Sequence, residues 1–511
     1  MATETMKPKA EICFSEMEDP NAPATVVVSF LVNKQNKKVI FAQAKKDFLD
    51  ILAGFLSYPL GTLSDLVGEE NTVGSITVLR DCLETFNGSF FWNGNKAKSM
   101  LLHPPNSASK HFRYLAVKLE KPAEYYLCLR HYSASRSMPR TSKCTCENWK
   151  LLLDVPGEGF VKSDDTIYII TDDLNVRPFS AMCSSINFRR DTNIVLYEKL
   201  EMVLTKSEVQ ELLWLAICSK NPLTDLVFGH QYRELPEGWS GVLDSNCWVL
   251  GEPNNINIRI KIMVDKKANT LLFAYCNSDF LDVLLSFLTF PLGAVVNAFG
   301  RRTSLGSIDT LYESIHKLYE SNLDDHSNLH TVLYPRIAVE VSSNNTIFPI
   351  EETRTSLHFR GNYSPQNYLG REKLVSYSLV EELSESHHPP DFQEVSLQFD
   401  SARKAGKGFL KESFVYIVEP DLNFGRISPV FDIGFPEHFA VDISHVQEKH
   451  ISIGINEFLM ILKASLTSSS KPLDDALKHL FPGLDGGERI LIVDYDSGAG
   501  FCFVLLLMLT V

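Results

Sequence analysis

Basic charge is in short supply in this 511-residue chain: 49 Lys and Arg stand against 63 Asp and Glu, a formal net charge of −14. So acidic a chain makes a poor general binder of phosphate backbones. Long apolar runs are missing too. Phe501 to Val511 is uncharged but has only eleven residues. As a helix it would span roughly 17 Å against about 30 Å of hydrocarbon, so no transmembrane span is expected, and a buried strand or docked helix is. The N-terminal stretch has no apolar segment of a secretory signal, and Glu4 and Glu11 without any Arg argue against a transit peptide. Cysteine is sparse, ten residues over the whole chain, a reduced intracellular pattern rather than a disulfide framework; cytoplasm or nucleus is the expected location. No G-x-x-x-x-G-K-[ST] and no G-x-S-x-G occurs, which removes the P-loop and the nucleophile elbow.

What is present is ordinary globular composition, 44% hydrophobic and 22% charged, in a chain long enough for more than one core. It is also written twice. Phe41 to Gly61 reads FAQAKKDFLDILAGFLSYPLG, and Phe273 to Gly293 reads FAYCNSDFLDVLLSFLTFPLG; 12 of 21 positions agree at an offset of 232. The same offset places Gly74-Ser75-Ile76 on Gly306-Ser307-Ile308. Further on, Gly159-Phe160-Val161-Lys162 parallels Gly408-Phe409-Leu410-Lys411, and Lys220-Asn221-Pro222-Leu223 parallels Ser470-Lys471-Pro472-Leu473.

The expected organisation is an N-terminal arm at 1–24, one repeat at 25–230 and a linker at 231–253. A second repeat follows at 254–483, then an atypical apolar tail at 484–511. Each repeat opens with alternating apolar runs around a polar turn, Val26 to Ala42 and Ile256 to Tyr275, which predicts a β-hairpin. Phe48, Ile51, Leu52 and Phe55, matched by Phe280, Val283, Leu284 and Phe287, then make the apolar stripe of a helix. Asp47/Asp50 and Asp279/Asp282 at its start are read as capping carboxylates. A later helix starts at Ser207, with Gln210 completing a capping box, and carries Val209, Leu212, Leu213, Ala216 and Ile217 on one face; its twin runs through Phe458, Ile461, Leu462 and Leu466. Strands are expected at Arg113–Lys118, Glu124–Leu129, Thr166–Ile170 and Phe414–Val418. The fold class is α+β, two diverged tandem copies, each around its own apolar centre.

These repeated phrases resemble the plant family catalogued as domain of unknown function 674. The likeness is carried by the two 21-residue stretches, by Gly306 to Ser314, by Lys98-Ser99-Met100-Leu101-Leu102-His103-Pro104 and by Ser219 to Asp225. It spans most of residues 25–483 and implies a plant source but no activity.

One cluster invites a metal. Cys128-x2-His131 and Cys144-x-Cys146 supply four ligands for a tetrahedral zinc ion in the segment 125–150 of the first copy. The family resemblance implies a Cys-rich stretch hereabouts. C-x2-H with C-x-C departs from the usual C-x2-C pairing, and ordinary reduced cysteines are the heavier alternative. Other motifs have plainer readings: Gly157-Glu158-Gly159 and Gly406-Lys407-Gly408 as turns, His387-His388 as a solvated loop, Asp494-Tyr495-Asp496 as a strand end without a completed site, and Trp92 beside Phe90 and Phe91 as core. Because the repeated residues are apolar, Gly, Pro or capping types, the sequence points to a non-enzymatic binding or scaffold protein with protein partners. The alternatives are an enzyme of unrecognised type with its site between the copies, and a zinc-dependent nucleic-acid binder using Arg130, Arg136, Arg140, Lys143 and Lys150.

Overall fold

The computed structural model describes residues 24–68, 71–122, 159–161, 166–179, 197–229, 257–321, 328–342, 348, 350–352, 401–404, 407–426, 444–467 and 470–481, and the backbone of 125–128, 133–135, 149–152, 358–364, 373–380, 392–393, 397–398 and 443. The arm, the linker and the apolar tail expected from the sequence lie outside these residues, but for Ala24 in the arm.

Strands β1 (Val26–Asn33) and β2 (Lys38–Ala44) form the first hairpin. Alternation along β1 sends Val26, Val28, Phe30 and Val32 inward, as a sheet with one covered face requires. Four helices follow: α1 (Lys46–Phe55), α2 (Leu60–Leu66), α3 (Gly74–Thr85) and α4 (Gly94–Leu102). Then come the short strands β3 (Tyr125–Cys128), β4 (Ser133–Ser135) and β5 (Trp149–Leu152). The chain returns through β6 (Tyr168–Thr171), β7 (Val176–Pro178) and β8 (Tyr197–Leu204), and ends the copy with α5 (Lys206–Cys218) and α6 (Pro222–Phe228).

The second copy repeats the plan with β9 (Ile258–Asp265), β10 (Thr270–Cys276), α7 (Ser278–Ser286), α8 (Leu292–Ala298), α9 (Ile308–Ser321) and α10 (His330–Leu333). Its middle strands are β11 (His358–Ser364), β12 (Lys373–Val380), β13 (Phe392–Gln393) and β14 (Leu397–Gln398). It closes with β15 (Tyr416–Val418), β16 (Phe424–Arg426), β17 (Val446–Ile453), α11 (Ile455–Thr467) and α12 (Pro472–Leu477).

The main sheets are antiparallel and have one order: β7-β6-β2-β1-β8 in the first copy, β16-β15-β10-β9-β17 in the second. The fold is therefore α+β in two copies, each opening with a hairpin and an amphipathic helix. The middle strands are less independent, for β14 of the second copy pairs in parallel with β4 of the first.

The copies do not keep separate centres. One apolar cluster runs from Val26 to Phe481 through both. The reason lies in the third helices, which cross over. Helix α3 packs on α11 of the second copy, and the Cys82 thiol donates to the Phe424 carbonyl in β16 at 2.8 Å. Reciprocally, α9 packs on β7 of the first copy, and at its start the Ser307 N–H and hydroxyl donate to the carbonyls of Ala216 in α5 and of Ser219 just after it, each at 2.9 Å. At the middle of the junction Pro59 and Pro291 form an antiparallel bridge. Each proline caps the start of the next helix rather than ending the previous one in mid-course.

Two local readings are corrected. Residues 109–114 form a 3₁₀ helix, not the start of a strand through Lys118, because Phe112 and Leu115 are drawn into the core from opposite ends of a turn. The capping box of α5 is Thr205 with Glu208, two residues earlier than expected; the Thr205 N–H donates to Glu208 Oε2 at 2.9 Å.

Candidate ligand-binding site

The repeated carboxylates are not caps. Helix α1 is capped at Lys45 and α7 at Asn277, whose side chain accepts from the Phe280 N–H. Asp47 and Asp279 sit in the first turns, where they complement the dipole. Asp50 and Asp282 lie one turn further, buried, and hold a distant segment. The Val161 N–H donates to Asp50 at 2.7 Å; the Phe409 and Leu410 N–H groups both donate to Asp282 Oδ1 at 3.0 Å. This explains Gly159 and Gly408. A β-carbon at either would overlap the carboxylate it faces, so only glycine lets the segment approach.

The copies differ in how the buried charge is met. In the first, Lys46 reaches Asp50 at 3.1 Å across one helical turn. In the second, that position is Ser278, and the guanidinium of Arg403 supplies the opposing charge instead. Burial pushes the Asp282 carboxyl up to about 7, against the pull of Arg403 and the two backbone bonds. Burial also lowers Arg403 to about 10, opposed by Asp282 and Glu352. Asp50 is raised by burial as well, with Lys46 the chief opposing influence.

Beside Asp282 opens a cavity of about 290 Å³. Its apolar wall is Val283, Ile337, Val341, Phe348 and Ile350. Its charged side carries Asp279, Asp282 itself, Glu352, Arg403, Lys407 and Glu412. Several of these are already fixed: Lys407 bonds Glu412 at 2.9 Å, and the Ser342 hydroxyl donates to Glu352 at 2.7 Å. Arg403 lies over the Phe409 ring at 3.7 Å, and its Nε is sealed from solvent without a hydrogen-bond acceptor.

The first copy holds this wall in place. Trp92 N–H donates to the Phe409 carbonyl at 3.0 Å and Lys411 N–H to Phe90 at 2.9 Å. The Asn93 amide spans the Ser401 and Arg403 carbonyls at 2.7 and 3.2 Å. Lys404 and Lys407 lie over the Trp92 ring at 4.1 and 5.0 Å. Trp92 is thus neither a free patch nor simple core; it is the bracket between copies. The pocket belongs to the second copy but needs the first.

Of the zinc candidates, only the backbone of Cys128 is described, at the end of β3; His131, Cys144 and Cys146 lie outside the described residues, as do His387, His388, Asp494 and Asp496. Among the described residues no group of three His, Cys, Asp or Glu could hold a metal ion. The described cysteines, Cys82, Cys218 and Cys276, are free, and burial pushes the first two thiols up to about 11 and about 12, away from thiolate chemistry. Arg403 has no counterpart signal in the repeat and was not legible in sequence. The recurrence of Asp282 and Gly408 in the first copy, as Asp50 and Gly159, is visible in the sequence, but their pairing is not: the aspartates read as caps and the glycines as turns.

The chain matches the family described as "Protein of unknown function (DUF674)" over residues 22–456. It is a member of the DUF674 family. No curated protein and no solved structure matches this DUF674 chain. Among its described residues, no helix is long and apolar enough to cross a membrane.

Proposed function

We propose that this DUF674 protein is a non-enzymatic binding protein whose second copy holds a small organic molecule in the cavity beside Asp282. The observation that carries this reading is the cavity itself, an apolar wall facing charged groups. An enzyme is the second reading, favoured by a carboxyl near 7 in a pocket, which suits proton transfer. Against it, Asp282 Oδ1 is already bonded to two backbone donors, and the same latch stands at Asp50 beside a lysine. The test is thermal unfolding of the full chain against a broad panel of small metabolites, repeated with Ile350→Phe, which fills the cavity. Compounds that raise the melting temperature of the wild type but not of the variant support the reading; no shift from any compound overturns it.

A structural zinc ion on Cys128, His131, Cys144 and Cys146 is a separate proposal. The antiparallel register Cys128↔Trp149 brings together the two ends of the segment that carries the other three residues. Elemental analysis of the purified protein should give about one zinc per chain, lost in Cys146→Ser. An intracellular location is supported by free cysteines and sparse cysteine overall. Protein partners, rather than nucleic acid, fit the net charge of −14.

A further inference from the structure

We propose that the edge strand β8 of the first copy pairs with the same strand of another chain of identical sequence, so that two chains associate through one antiparallel sheet with five strands from each. This is independent of the pocket reading above.

An edge strand offers a row of backbone donors and acceptors to any chain that can lie beside it. The two main sheets have four edges between them, and three are guarded. Strand β7 has three residues and ends in Pro178, and β16 also has three. Strand β17 has eight, but it carries Lys449, whose ammonium donates to the Leu480 carbonyl at 2.7 Å. Strand β8 is as long, and among the described residues its outer edge pairs with no strand. At the place of Lys449 it has Leu200: the lysine pairs with Ile262 in β9, the leucine with Phe30, 232 residues earlier in β1. At the place of Ser452 it has Val203. Val203 is 56% exposed and Val27, opposite it in β1, 53%; Tyr197 and Leu200 are exposed as well.

An exposed apolar edge would suit many partners; the order of the charges selects this one. A two-fold axis perpendicular to the sheet reverses a strand but keeps its faces, so it must set even residues against even and odd against odd. Two such registers of β8 pair seven residues, those centred on Leu200 and on Glu201; the others pair five or fewer. Centred on Glu201, the strand sets that carboxylate against itself, and like charges directly opposite destabilise a sheet. Centred on Leu200, it sets Lys199 against the partner's Glu201 and Glu201 against the partner's Lys199. Tyr197 then faces the partner's Val203, Val203 faces the partner's Tyr197, and Leu200 meets its own equivalent. Glu198 falls opposite the partner's Met202 and keeps its ion pair with Lys34, at 3.0 Å. The corresponding register of β17 would set Lys449 against itself, which confines the association to the first copy.

The experiment is sedimentation velocity of the full-length protein at roughly 1–100 μM, a range suited to an interface below the standard size. Across it the wild type should pass from one chain to two. Lys199→Glu and Glu201→Lys each set like charges opposite one another twice, and each should weaken the association at least about tenfold. Mixed in equal amounts, the two variants should associate again, because each supplies the charge that the other lacks. The double variant Lys199→Glu/Glu201→Lys should behave as the wild type. Leu200→Lys, which copies the guard of β17, should remain a single chain throughout. All three positions are exposed, and far-ultraviolet circular dichroism checks that each variant is folded. A wild type that stays a single chain, an association that neither charge variant weakens, or a mixture that does not restore it overturns the proposal.

Discussion

The Leu60 N–H donates to the Phe290 carbonyl at 2.9 Å, and their counterparts 232 residues apart reverse the roles: Leu292 N–H donates to the Tyr58 carbonyl at 2.9 Å. Such reciprocity is the mark of a local two-fold relation between the copies. Around it, the exchange of α3 and α9 makes each half the cover of the other.

The first prediction follows from that exchange. The full chain should unfold in one cooperative transition by both tryptophan fluorescence and far-ultraviolet circular dichroism, and a fragment of residues 24–229 should not fold cooperatively alone. Two separated transitions, or a stably folded fragment, would show independent halves.

Gly293 tests the junction locally. Its N–H donates to the Leu56 carbonyl at 2.6 Å, and a β-carbon would crowd the Val332 carbonyl. Gly293→Val should destabilise the whole chain by about 3 kcal/mol in urea unfolding, since neither neighbour is a side chain that can move aside. A loss below about 0.5 kcal/mol would show that the junction is loose.

Asp282 sets a pH dependence. Its folded value of about 7 lies above the unfolded value of 3.8, so between them the folded state holds a proton that the unfolded state has released. Stability should therefore be fullest below pH 4 as far as this group is concerned, and fall as pH rises through about 7. Asp282→Asn keeps an acceptor for Phe409 and Leu410 and cannot ionise; it should flatten this slope and equal or exceed the wild type at pH 8. Asp282→Ala orphans both donors and should cost about 2–4 kcal/mol at any pH. Urea midpoints for the three proteins across the range decide it, and an unaltered slope in the Asn variant would count against the argument.

Lys46 offers the converse. Removing its charge in Lys46→Met leaves Asp50 buried without its direct partner, and a loss of about 3 kcal/mol is expected at neutral pH, shrinking as pH falls and Asp50 takes a proton. A loss that does not change with pH would mean that Lys46 contributes by packing alone.

Local order was readable from residues. The hairpins, α1 with Phe48, Ile51, Leu52 and Phe55 inward, and α5 with Leu212, Leu213 and Ile217 inward, follow from periods of two and 3.6. The crossing of α3 was not, because its apolar face, Ile76, Leu79 and Leu83, would read the same against either copy. Asp50 and Asp282 misled for a related reason: a carboxylate near a helix start suits a cap, and only the distant Phe160 and Phe409 segments reveal a latch. Arg403 stands in a stretch of low apolar content with no periodic neighbour, so nothing local announced that it would be drawn inward over Phe409.

The swapped third helices have a consequence for what a single copy could be. Alone, such a unit would present an open face and would be completed only by a second molecule, as an obligate homodimer in which every site occurs in duplicate. Joining the pair into one polypeptide frees the two sites from identity: at Asp50 the buried charge is met by a lysine one helical turn away, at Asp282 by an arginine from a remote part of the chain.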